Sequence, residues 1–213
     1  MNTDAVLFDA GDVSARLLQL GLNSEVLRES VLQAHLRRTR LTANHPRIFP
    51  GLEMWGWAVA ALRDQTRPLG WLAVEIANFP LTVNQELGVA ISVAAGDEAT
   101  GFPRLVPSNR ARKGRNTAEA VEGNQQLDMF EAMVPRSGEE TAGHETWVLL
   151  HYTDWPGKEI RIELSRPSEI GRDGKISAWS ERIILGSLPL DDEHIDIKHP
   201  DGPDIDIAIR RKG

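Results

Sequence analysis

The chain predicts an α+β fold, with N-terminal helices followed by mainly antiparallel β-strands and a long polar connection in the middle. Three observations predict it. Apolar residues recur at three- and four-residue spacing through the first ~70 residues, the signature of helices with one buried face. Short apolar runs and strict alternation dominate from residue 146 onward, the signature of strands. Between these lies a stretch rich in Gly, Asn, Pro, Thr, Glu and Arg, with scattered apolar residues. The expected units are 1–95, a helical half with a β-hairpin; 96–145, the polar connection; and 146–213, an antiparallel β half. Units 1–95 and 146–213 are free to share one core.

Composition sets the outer limits. With 213 residues, 41% hydrophobic and 26% charged, the chain has material for one larger domain or two small ones. Its net charge of -7 repels nucleic acid overall, so DNA contact requires a local basic patch or a partner that holds the DNA. The absence of cysteine excludes disulfides, thiolate metal sites and cysteine nucleophiles. Met1–Ala10 carries acidic residues and lacks the basic-then-apolar pattern of a secretory signal. No apolar run approaches the ~20 residues of a membrane helix. A soluble cytoplasmic protein without membrane association or cofactor is therefore expected.

In order, Asp12 is expected to cap a helix through Leu20, with Gly21 as its stop. Ser24 is expected to cap a second helix to about Thr39, with Val26, Leu27, Val31, Leu32 and Leu36 on one face. Arg37, Arg38 and Arg40 suit the negative end of its dipole. The same run read more sharply is a phosphate-contacting patch. Pro46 and Pro50 mark a loop, and a third helix is expected from about Leu52 to Gln65. Its stripe is Leu52, Trp55, Val59 and Leu62, with Trp57 covering a neighbour, so its tryptophans read as core packing in preference to base stacking. Trp71 to Val83 reads as one extended run interrupted by Asn78 and Pro80. Leu87 to Ala94 follows it as a hairpin partner through Asn84–Glu86.

In the last unit, Trp147–Tyr152 and Glu159–Leu164 form a hairpin through Asp154–Lys158. Ile160, Ile162 and Leu164 alternate with Arg161 and Glu163, which predicts one buried and one wet face. A turn at Gly171–Gly174 leads into a third strand from Lys175 to Leu185. His194–Lys198 and Asp204–Arg210 both alternate strictly. With Lys198 opposite Asp204, Asp196 falls opposite Asp206, a like-charge pair that destabilises a hairpin unless something neutralises it. Asp196 and Asp206, with His194 nearby, are the constellation suited to a divalent metal or a shared proton. The competing reading is a hydrated acidic face, because a nuclease-type site also wants a lysine and a cleft. No Gly-x-Ser-x-Gly elbow or His-Glu-x-x-His helix occurs.

The polar middle carries a basic run. Arg110, Arg112, Lys113 and Arg115 are its candidate nucleic-acid contacts, and a solvated linker explains them equally well. Gly96–Gly101 lacks the Gly-Lys-Ser/Thr ending of a phosphate loop. Thr117–Asn124 is expected to be a short helix. After it comes Gln126-Leu127-Asp128-Met129-Phe130. This pentapeptide resembles the short peptide, Gln-Leu-Ser/Asp-Leu-Phe, by which many bacterial replication and repair proteins dock on the sliding clamp. Met129 replaces the usual Leu, a swap of similar volume. In such docking Leu127, Met129 and Phe130 would fill an apolar pocket while Gln126 bonds at its rim. The alternative is that the same apolar residues pin the connection to the core.

The resemblance implies a non-enzymatic accessory or adaptor protein in bacterial DNA replication, repair or mobile-element and defence processes, with the DNA polymerase sliding clamp as protein partner and nucleic acid reached indirectly. Two other readings stand beside it: a metal-dependent nuclease or hydrolase using Asp196 and Asp206, and a structural subunit of a larger complex.

Overall fold

A computed structural model describes residues 5–76, 79–110, 117–124 and 144–190. The chain opens with a short strand, β1 (Ala5–Leu7), and three helices, α1 (Ala10–Gln19), α2 (Ser24–Arg38) and α3 (Phe49–Thr66). Then come β2 (Leu72–Ile76), β3 (Phe79–Asn84) and β4 (Val89–Ala95). Residues 117–124 are helical (α4), and β5 (Glu145–Asp154), β6 (Glu159–Ile170) and β7 (Ile176–Pro189) follow.

The seven described strands lie in one sheet, in the order β1-β7-β6-β5-β4-β3-β2. The sheet is mixed, which corrects the expectation of a mainly antiparallel one. The hairpins β2–β3, β3–β4, β5–β6 and β6–β7 are antiparallel, but β4 pairs with β5 and β1 with β7 in parallel. The physical reason is the long connection after β4. A parallel neighbour needs a crossover that carries the chain back along the sheet, and residues 96–144 supply one.

The helix starts also differ from expectation. Asp9, not Asp12, caps α1, its Oδ1 accepting from the Gly11 N–H at 2.9 Å. Asn23, not Ser24, caps α2, its Oδ1 accepting from the Val26 N–H at 2.9 Å. Helix α3 begins at Phe49, with Pro50 in its first turn, where a missing N–H costs nothing. Its buried face is Met54, Ala58, Val59, Ala61 and Leu62, while Leu52 and Trp55 remain exposed. Trp57 is exposed as well, with its Nε1 donating to Glu53 and Arg37 stacked over its ring at 4.2 Å. The tryptophan pair therefore lies outside the core. Trp71–Val83 is a hairpin, β2 against β3, rather than a single run.

The three helices cover one face of the sheet. Leu17, Leu27, Val31, Met54 and Leu62 meet Ile91, Trp147, Leu149, Ile160, Ile162 and Ile183 there in one buried cluster. Arg16 ties α1 to β7, donating from Nε and Nη2 to the two carboxylate oxygens of Glu181 at 2.6 and 2.9 Å. On the opposite face a smaller cluster of Ala94, Val148, Leu150, Ile176 and Trp179 is buried. Strands β4 and β5 are therefore covered on both sides, as the parallel part of a sheet usually is. No described helix is long and apolar enough to cross a membrane.

Candidate functional site

The second face of β6 is not wet. Arg161, Glu163 and Ser165 all point to it, and all are buried. What covers them is the start of the connection, residues 96–110. Glu163, with no exposed surface, is the centre of this layer. It accepts from Arg182 Nη2 at 2.6 Å, Arg182 Nε at 3.0 Å, Ser165 Oγ at 2.7 Å and the Gly101 N–H at 2.8 Å. Arg182 also donates to the carbonyls of Leu105 and Phe102 at 2.6 and 3.3 Å. Arg161 donates to the Glu98 carbonyl at 3.0 Å and to Asp154 at 3.2 Å, and it stacks against Phe102 at 4.2 Å. A buried carboxylate survives only if its lone pairs are filled, and here side chains of the sheet and backbone of the loop fill them together.

Further along, Trp179 Nε1 donates to the Pro107 carbonyl at 2.8 Å. Asn109 Oδ1 accepts from the Ile176 N–H at 2.7 Å. The loop thus lies along β7 as well as β6. It is a fixed part of the second layer, held mainly by backbone groups. Gly101 sits at φ +81, and a Cβ there would lie 2.8 Å from the Arg161 Cβ, so the close approach of loop to strand depends on glycine.

The helix 117–124 ends on a second anchor. Asn124 is buried and makes three hydrogen bonds. Its Nδ2 donates to the Thr146 carbonyl at 2.8 Å and the Pro167 carbonyl at 3.0 Å, and its Oδ1 accepts from the Thr146 N–H at 2.8 Å. This one side chain completes backbone pairing at the start of β5, where an edge of the ladder would otherwise be open. Asn124 and Thr146 flank residues 125–143, so the chain on either side of that segment is stapled together.

The docking candidate Gln126, Leu127, Asp128, Met129 and Phe130 lies outside the described residues, beginning one residue past the Asn124–Gln125 junction. The basic candidates Arg112, Lys113 and Arg115 lie outside them too, as do His194, Asp196 and Asp206. Arg110 is described and exposed, with its backbone N–H donating to the Ala95 carbonyl at 2.8 Å. Among the described residues, no group of three His, Asp or Glu side chains is placed to hold a metal ion.

No family model, curated protein or solved structure matches the chain.

Sequence reasoning passes over Glu163, Arg182 and Asn124, the residues that fix the layout of this region. A faint signal existed for the first two. Glu163 and Arg182 each adjoin strongly apolar residues in their strands, and a charge that becomes buried there needs an opposite charge or a dense set of hydrogen bonds. Asn124 carried no comparable signal, since asparagine at a helix end is ordinary.

Proposed function

We propose that this chain is a non-enzymatic adaptor that docks on a bacterial DNA polymerase sliding clamp through Gln126–Phe130. The observation that carries the reading is the peptide itself, Gln-Leu-Asp-Met-Phe, whose residue types match a pocket-filling docking peptide at every position but one conservative exchange. Its location supports the reading. Asn124 and Thr146, described residues on either side of 125–143, are hydrogen-bonded to each other at the start of β5 in the sheet. A docking peptide tethered closely to a rigid body holds that body near the partner, which is what an adaptor requires. The ordering cost of a short peptide keeps the single-site affinity modest.

The test is direct binding of the intact chain to a purified clamp by surface-based kinetics. Gln126→Ala with Phe130→Ala is expected to lower affinity at least tenfold with unchanged circular dichroism. Equal binding by the wild type and this double variant, or no binding by either, removes the reading.

A further inference from the structure

One end of the sheet gathers positive charge from two parts of the chain. Arg38, on the last turn of α2, donates to Thr153 Oγ1 at 3.4 Å and lies over the Trp155 ring at 4.9 Å. Thr153 is two residues beyond His151, and His151 pairs with Ala95 across the parallel β4–β5 ladder. Ala95 in turn accepts from the backbone N–H of Arg110. The α2 terminus and the far end of the 96–110 loop therefore meet at the C-terminal ends of β4 and β5. Burial, and then the charge of Arg110, lower the Arg38 pKa from its usual value, so the two guanidiniums lie within each other's field.

Among the described residues, no acid balances them. Elsewhere on the protein, Arg16, Arg63, Arg161, Arg166 and Arg182 each stand beside a carboxylate. Among the described residues, no carboxylate pairs with Arg37, Arg38 or Arg110. Beneath Arg38, His35 is buried with its Nδ1 lacking a hydrogen-bond partner. Burial and the charge of Arg38 hold its pKa down at about 4, so it adds no charge of its own at neutral pH. Like charges drawn from two distant segments, with no carboxylate partner among the described residues, make this end of the sheet attractive to an anion.

We propose that Arg38 and Arg110 bind phosphate groups of a single-stranded nucleic acid backbone at this end of the sheet. Arginine forks match phosphate oxygens in pairs, and the half-buried Trp155 lies beside them under Arg38. The site shares no residue with Gln126–Phe130 and stands whether or not the clamp reading holds.

The test is fluorescence anisotropy of the full chain with a labelled oligothymidylate across a salt series, in parallel with calorimetry of inorganic pyrophosphate. Wild type is expected to bind the oligonucleotide with strong salt dependence. Arg38→Gln with Arg110→Gln should weaken it at least tenfold and reduce the log–log salt slope by about 1.4, the share of two phosphate contacts on a single strand. Arg172→Gln is the control, because Arg172 lies in the turn at the opposite end of β6. It should leave binding unchanged. Arg110→Gln alone removes only an exposed side chain, so its loss of affinity is not a loss of folding. The proposal is overturned if the oligonucleotide does not bind at low salt, if the double variant binds like wild type, or if pyrophosphate binds and the oligonucleotide does not.

Discussion

Arg182 holds both carboxylate oxygens of Glu163, Nη2 at 2.6 Å from one and Nε at 3.0 Å from the other, in a place that water does not reach. Breaking such a pair from one side strands the other charge. Glu163→Ala is therefore expected to destabilise by about 3–5 kcal/mol, and Arg182→Ala by a similar amount. Glu163→Ala combined with Arg182→Ala should cost clearly less than the sum of the single changes, because neither charge is left alone. Urea unfolding of the four proteins measures this. Additive losses would mean that the two side chains are held separately by the loop.

Gly101 should be intolerant of a side chain. Its positive φ and the 2.8 Å approach to Arg161 Cβ set against Gly101→Ala both a backbone and a steric penalty, together about 1–3 kcal/mol. Gly70 also has positive φ, but no atom within 4 Å of a Cβ, so Gly70→Ala meets the backbone penalty alone. Thermal melts should rank Gly101→Ala below Gly70→Ala, and amide exchange in 96–110 should quicken only in the former.

Asn124→Ala removes the three hydrogen bonds that staple α4 to the start of β5 and leaves buried backbone groups of Thr146 and Pro167 without partners. A loss of about 2–4 kcal/mol is expected. Hydrogen exchange should rise at Thr146 before it rises at Leu149, in the middle of the same strand. Uniform acceleration along β5 would contradict a local staple.

His35 makes stability depend on pH in a definite direction. Its folded pKa, about 4, lies below the ordinary 6.5, so the unfolded chain binds the proton more readily. The neutral imidazole's contribution is whole above pH 6.5 and is lost as pH falls from there through about 4. The loss approaches roughly 3 kcal/mol at the acid end. His35→Phe keeps a ring against Trp155 and removes the titration, so it should narrow the stability gap between pH 7 and pH 4.5. An unchanged gap in denaturant titrations would assign the acid sensitivity to carboxylates.

Much of the architecture was legible where periodicity was strong. The helix through Val26, Leu27 and Val31 and the strands around Trp147, Ile160 and Ile183 appear where their patterns put them. Direction was not legible. Leu-Gly-Val-Ala-Ile-Ser-Val at β4 and Trp-Val-Leu-Leu at β5 fit a parallel pair as well as an antiparallel one, because side-chain alternation carries no sign of strand polarity. Nor was the cover of Arg161 and Glu163. Alternation tells which residues are polar, not whether a loop with the right carbonyls and a glycine will close over them. Trp55 misled for a related reason, since helical spacing defines a stripe but not which neighbour faces it. The electrostatic influence of Arg110 on Arg38, 72 positions away, exists only in the folded sheet.

The short strand β1 has a consequence for synthesis. Ala5 pairs with Glu181 and Leu7 with Ile183, so the first described strand to leave a ribosome docks beside the last. At ordinary translation speeds of about 5–20 residues per second, the partner emerges on the order of ten to thirty seconds later. During that wait, helices α1 to α3 can associate with one another, but their sheet-facing residues, Leu17 and Leu27 among them, have only part of a sheet to rest on. The protein therefore assembles its edge after its middle, and a ribosome stalled before Glu181 would hold a chain with an open apolar side for chaperones to find.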